Sequence, residues 1–97
     1  MQASVEDFLR SLPQLTLAIE KAIENKNPND LKIAAHTLKG AVSNFYAEPS
    51  RQLAWQLEQL GHSQKLDGAK DILSNLKTEL KALEFALLQL TKKTNAA

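Results

Sequence analysis

The chain has 97 residues, of which 43% are hydrophobic, and it contains no cysteine. This length and composition favour one folded unit over a disordered chain, and the lack of cysteine excludes disulfides and thiolate metal sites. Twelve lysines and arginines against eleven acidic residues leave a formal net charge of +1, which argues against a nucleic-acid-binding protein because such proteins carry strongly basic surfaces.

The N-terminus lacks the basic start and apolar stretch of a secretion signal, and the longest apolar runs span only a few residues. We therefore expect no targeting segment, no membrane-spanning helix and no direct contact with a membrane. The expected location is the cytoplasm, either as a free protein or as the cytoplasmic domain of a membrane-bound protein.

The N-terminal segment predicts a short helix followed by a longer one. Ser4 is a suitable N-cap, the acidic Glu6 and Asp7 follow it, and apolar residues recur at helical spacing up to Leu12. Pro13 is disfavoured inside a helix but accepted at a first helical position, so a second helix, or a kinked continuation, is expected to begin there. The apolar stripe of this second helix consists of Leu15, Ala18, Ile19, Ala22 and Ile23.

Two further helices follow, separated by short polar or turn-forming segments. The stretch ENKNPND interrupts the helical pattern and offers Asn27 or Asn29 as the N-cap of a helix from about Pro28 to Phe45. The next helix is expected to start within residues 47–49. It is expected to stop at Gly61, because glycine is common just after the last turn of a helix.

The last predicted helix starts near Asp67 and is long. Its apolar residues recur at alternating spacings of three and four, which is typical of a bundle-packing seam. The seam consists of Ala69, Leu73, Leu76, Leu80, Leu83, Leu87 and Leu90. Phe85 and Leu88 lie off this seam, and packing against the first helix would explain them. The residues expected to contact them are Val5, Phe8 and Leu12.

These elements predict an all-α fold, because no alternating strand pattern, repeat or low-complexity tract interrupts the helical series. The expected architecture is an antiparallel up-and-down four-helix bundle with a short additional N-terminal helix. Residues 1–97 are expected to form a single domain. One bundle accounts for the leucine seams, so we expect a monomer.

The helix from about Pro28 to Phe45 directs a histidine away from the core. At about 100° per residue, the apolar residues of this helix fall within roughly 40° of one direction. They are Leu31, Ala35, Leu38, Val42 and Phe45. Relative to that direction, Lys39 lies at about 80°, Ser43 near 120° and His36 near 140°. Gly40 lies near 180° and Ile33 near 200°, so an open position and an apolar residue accompany the histidine on the outer face.

An isolated helical histidine is more often a packed or merely solvated side chain than a functional one. Here the neighbours of His36 favour a functional role for the imidazole over a merely solvated one. Gly40 makes room one turn later, and Lys39 places an ammonium group alongside the ring. Together these features suit a phosphoryl group delivered by another protein.

Other chemistries are poorly supported. A metal site on His36 and His62 would need further ligands, and His62 lies in a predicted loop with none at suggestive spacing, so no metal is expected. The chain also lacks a glycine-rich nucleotide loop and paired acidic residues. We expect neither ATP binding nor autophosphorylation, and no cofactor in this chain.

The stretch His36-Thr37-Leu38-Lys39-Gly40 resembles the H-x-L-K-G motif of histidine-containing phosphotransfer (HPt) domains of multistep two-component signalling. The likeness continues upstream in FLRSLPQL and therefore covers most of the chain. Downstream it includes Phe45, Ala47, Leu53, Ala54, Leu57 and Glu58. The dimerisation helices of histidine kinases are a poorer match, because they usually follow their histidine with an acidic residue and not with a threonine.

The resemblance implies a role for each residue of the site. His36 would be the phosphoacceptor, Lys39 would assist by its charge, and Gly40 would give access. Glu58 would hydrogen-bond the ring nitrogen that is not phosphorylated. The receiver docking surface would include Ile33 and Ser43.

The resemblance also implies the partners: response-regulator receiver domains and a hybrid sensor histidine kinase, with Mg²⁺ bound on the receiver. The chain would then be a reversible phosphocarrier and not an enzyme. The alternative is an HPt-like helical adaptor that binds receivers without being phosphorylated. Two positions depart from the family pattern, since Tyr46 replaces a common glycine and Ser50 an apolar residue. Trp55 is expected off the core seam, as a partly buried aromatic or a partner contact.

Overall fold

A computed structural model of the chain describes residues 5–45 and 47–95, with side chains described up to residue 90. It contains four helices: α1 Val5–Glu24, α2 Pro28–Ser43, α3 Glu48–His62 and α4 Ala69–Asn95. The described residues include no strand, which confirms the all-α class. No helix in this part of the chain is long and apolar enough to cross a membrane.

Residues 5–24 form one helix, so the prediction of a separate short helix was wrong and the alternative, a continuation past Pro13, is what the chain adopts. α1 continues through Pro13, although an interior proline costs about 3 kcal/mol. Burial outweighs this cost, because Phe8 and Leu12 before the proline and Ile19 after it are all buried. Each such side chain contributes roughly 1.5–3 kcal/mol. Ser4, the predicted N-cap, lies outside the described residues.

The start of α2 is fixed by Asn27, one of the two predicted caps. Its side-chain oxygen accepts a hydrogen bond from the backbone N–H of Asp30 at 3.1 Å. Pro28 follows at the first helical position, where its missing N–H costs nothing. The helix ends at Ser43, two residues before the predicted end.

Gly61 does not end α3, which continues to His62. The left-handed backbone conformation that follows the helix belongs to Gln64, with φ 61°. Gly61 serves close packing, because a Cβ atom there would lie 2.6 Å from the backbone nitrogen of Lys32 and from the backbone oxygen of Pro28. The end of α3 is thus pressed directly against the first turns of α2.

The helices contact each other in sequence, α1 with α2, α2 with α3 and α3 with α4, and α4 also contacts α1. The core between them is formed mainly by apolar residues of the predicted stripes. The largest fully buried apolar side chains are Ile19, Leu31, Leu38, Val42, Leu57 and Leu76. The α4 seam is buried or half-buried from Ala69 to Leu87, whereas Leu90 is 63% exposed.

Phe85 and Leu88 do not pack as predicted. Phe85 is 65% and Leu88 46% exposed, because Phe85 lies two residues, or about 200°, from the seam residues on either side. Phe8 instead contacts Phe45, with ring centroids 4.8 Å apart. Trp55 is 44% exposed, which agrees with its predicted position off the seam.

Candidate functional site

The outer face of α2 presents His36 to solvent. The core face of the same helix is fully buried at Leu31, Ala35, Leu38 and Val42, whereas the His36 side chain is 68% exposed. This is the arrangement that the helical wheel predicted, because burial of one stripe fixes the rotation of the whole helix. The imidazole is therefore accessible to a partner protein.

Glu58 of α3 orients the imidazole. Its Oε2 lies 3.0 Å from Nδ1 of His36. A carboxylate can only accept hydrogen bonds, so Nδ1 carries the proton and donates it. In the neutral ring the other nitrogen, Nε2, then carries the free lone pair. The contact thus selects one tautomer of His36.

The same carboxylate also binds Lys39. The Nζ atom of Lys39 lies 2.7 Å from Oε1 of Glu58, and the two side chains are 24% and 18% exposed. Burial raises the pKa of the Glu58 carboxyl. Hydrogen bonds from Lys39 and His36, together with their charges, lower that pKa by more than burial raises it, so the pKa lies below its ordinary value. Glu58 is therefore ionised at neutral pH and joins α3 to two residues of α2.

The lowered pKa of Glu58 predicts a loss of stability in acid. Unfolding would return the pKa to its ordinary value of 4.5, so the unfolded chain binds the proton more readily. The stabilisation by the Glu58 carboxylate is complete at pH values well above 4.5. It is lost as the pH falls from 4.5 towards the lower pKa of the folded state. We expect urea denaturation to show that the free-energy difference between wild type and Glu58→Gln shrinks from pH 7 to pH 3.

This comparison isolates Glu58 from a second acidic group. Hydrogen bonds from Arg51 and Gln52 lower the pKa of Glu48 to about 2, so Glu48 also adds acid sensitivity. Both wild type and Glu58→Gln retain Glu48, and its effect cancels. A free-energy difference that stayed constant between pH 7 and pH 3 would contradict the assigned network.

The other predicted site residues surround the imidazole on α2. A Cβ atom at Gly40 would meet none of the described residues within 4 Å, so this side of the helix is open. Ile33 is 57% exposed. Ser43 is exposed, and its hydroxyl donates a hydrogen bond to the Lys39 carbonyl at 2.7 Å. Of the two departures from the family pattern, Ser50 is buried, and Tyr46 lies outside the described residues.

A groove of about 440 Å³ runs between α2 and α3 at the histidine. Its lining residues are Lys32, Ile33, His36, Thr37, Glu58 and His62. His62 was predicted in a loop and was missed as a site residue. It follows Glu58 by four residues on α3, and that spacing places two residues on one helix face. Among the described side chains, no group of three or more metal-ligating residues is placed to hold a metal ion.

Comparison with known families agrees with this geometry. A family model described as the Hpt domain matches residues 3–86 of the chain, a range that includes all of α2 and α3. Neither the curated proteins nor the solved structures include a match to the chain.

Proposed function

We propose that this chain, which belongs to the Hpt domain family, carries a phosphoryl group on Nε2 of His36 between receiver domains of a phosphorelay. Family membership gives histidine phosphotransfer in phosphorelays as the general activity and response-regulator receiver domains as the partners. Hpt domains are phosphocarriers and not classical enzymes. The observation that carries the assignment is the exposed imidazole of His36, held through Nδ1 by Glu58.

The proposed transfer needs no proton movement. The Nε2 lone pair of the neutral imidazole attacks the phosphorus of an aspartyl phosphate on the receiver. The N–P bond forms as the P–O bond to the aspartyl carboxylate breaks, and that carboxylate leaves. Nδ1 keeps its proton, so the phosphorylated ring is a cation next to the Glu58 carboxylate. The reverse of these steps delivers the phosphoryl group to a second receiver.

The neighbouring residues assist this transfer by position and charge. Lys39 supplies positive charge beside the ring, and Mg²⁺ bound on the receiver would supply the main charge stabilisation at the phosphoryl oxygens. Gly40 leaves the space into which the receiver active site fits. Ile33 and Ser43 form part of the docking surface, a proposal supported by their exposure on the same face of α2.

We propose an up-and-down antiparallel direction for the four helices. The support comes from α2 and α3. Gly61, near the end of α3, packs against Pro28 and Lys32 at the start of α2, and Glu58, earlier in α3, contacts His36, later in α2.

We also propose a monomeric cytoplasmic domain that receives phosphoryl groups from a hybrid sensor kinase. The leucine seam of α4 supports the monomer, since most of its side chains are already buried within one bundle.

Phosphotransfer from a phosphorylated receiver tests the function directly. Incubation with ³²P-labelled receiver domains of the source organism is expected to label the chain, with an acid-labile bond that maps to the peptide containing His36. Acid lability distinguishes phosphohistidine from phosphoserine and phosphothreonine. Labelling of another residue would contradict the assignment, and tight receiver binding without any label would favour the adaptor.

The open position at Gly40 gives a second test. Gly40→Leu is expected to slow transfer from the receiver at least about tenfold, because a misplacement of the reacting groups by about 1 Å costs up to 100-fold. The helix should be retained, since a Cβ atom at this position meets no described neighbour and leucine favours helices over glycine. Stopped-flow measurement of receiver dephosphorylation gives the rate. Gly40→Ala is the matched control, and an unchanged rate for Gly40→Leu would show that access is not the role of Gly40.

A further inference from the structure

The second histidine of the chain shares the groove of the first. His62 is the last residue of α3, is exposed, and lines the α2–α3 groove together with His36 and Lys32. On α2 the groove is bordered by Lys32 and Ile33 before His36 and by Thr37 after it, but not by Lys39 or Gly40. On α3 it is bordered by Glu58 and His62. From His36 the groove therefore extends to the first turns of α2 and the last turn of α3.

Gly61 fixes the position of His62. A Cβ atom at Gly61 would overlap the backbone of Lys32 and Pro28, so the last turn of α3 touches the first turns of α2 without any intervening side chain. The residue that follows Gly61 is thereby held beside α2. The placement of His62 in the groove is thus a consequence of helix packing and not of a mobile loop.

A phosphoryl group on His36 needs donors on this side. The Lys39 ammonium already lies 2.7 Å from Glu58, and Lys39 does not line the groove. The Glu58 carboxylate is ionised, so it repels a phosphoryl dianion, which also offers three strong acceptor oxygens. Besides His36 itself, the side chains lining the groove that carry N–H donors are those of His62 and Lys32.

We propose that His62 binds the phosphoryl group carried by His36. A ring N–H of His62 donates a hydrogen bond to a phosphoryl oxygen, and Lys32 adds positive charge from the same side. This inference rests on the proposed function and adds a phosphoryl-binding residue to the same site. The bond stabilises the phosphorylated state for any phosphoryl donor, because it involves no contact with the receiver.

Phosphorylation by phosphoramidate tests the inference without a receiver. In that reaction the N–P bond to His36 forms as the P–N bond of phosphoramidate breaks and ammonia leaves. We expect His62→Ala to lower the rate of phosphohistidine formation, followed by ³¹P NMR, about fivefold, the size of one partly exposed hydrogen bond to a charged group. His62→Gln keeps an N–H donor and is expected to retain most of the rate. In wild type, phosphorylation of His36 is expected to shift the ring resonances of His62.

Lys65→Ala is the matched control, since Lys65 is an exposed cation three residues further on and does not line the groove. Its rate is expected to equal that of wild type, and circular dichroism should show all variants folded. Equal rates for wild type and His62→Ala, with unshifted His62 resonances, would overturn the role of His62 alone. No phosphohistidine in wild type, with phosphoramidate or a receiver, would overturn the proposed function as well.

Discussion

The His36→Gln variant is expected to accept no phosphoryl group above background from a phosphorylated receiver domain. A glutamine amide nitrogen has no available lone pair, so the attack on phosphorus cannot occur. The fold should be retained, because the His36 side chain is 68% exposed and losing its hydrogen bond to Glu58 costs only about 1 kcal/mol. Transfer of ³²P from the receiver, followed on a gel, measures the loss.

Two controls separate chemistry from binding in this experiment. Isothermal titration calorimetry is expected to show that His36→Gln still binds the receiver, since the rest of the docking surface is unchanged. His62→Gln removes the other histidine of the chain and is expected to accept label. Equal labelling of wild type and His36→Gln would place the phosphoacceptor elsewhere.

The helices themselves were predictable because burial follows the 3.6-residue period. The wheel of α2 placed Leu31, Leu38 and Val42 on one face, and all three are fully buried. Pro13 shows where local preference fails. A proline usually starts or breaks a helix, but the apolar stripe of α1 continues on both sides of it, and only the packed structure reveals that burial outweighs the local cost.

The site was predictable in part, because contacts within one helix follow from its period whereas contacts between helices do not. The exposure of His36 and the open position at Gly40 follow from one helix and therefore from its period. The contact between His36 and Glu58 joins residues 22 positions apart, so it came from the family resemblance and not from spacing. The Lys39–Glu58 ion pair and the position of His62 require knowledge of how α3 lies against α2. His62 was missed because Gly61 was interpreted as a helix stop.

Gly61→Ala is expected to destabilise the fold by about 3 kcal/mol, because overpacking of a tight contact costs typically 1–3 kcal/mol and more where backbone must move. The added Cβ would lie 2.6 Å from two backbone atoms of α2, which cannot rotate away as a side chain can. The helix preference of alanine, about 1 kcal/mol over glycine, offsets only part of this. Thermal denaturation should show a midpoint lower by about 12 °C or more.

Gly40→Ala is the matched control, since it makes the same substitution within α2 at a position where the added Cβ meets no described neighbour. It is expected to raise stability by up to about 1 kcal/mol. A loss of stability in Gly61→Ala together with a gain in Gly40→Ala would follow only if Gly61 is needed for the contact between helices and Gly40 is not. Equal stabilities would contradict the packing of α3 on α2. Because that contact also holds His62 in the groove, Gly61→Ala should slow phosphorylation of His36 by phosphoramidate even at temperatures where the variant is folded.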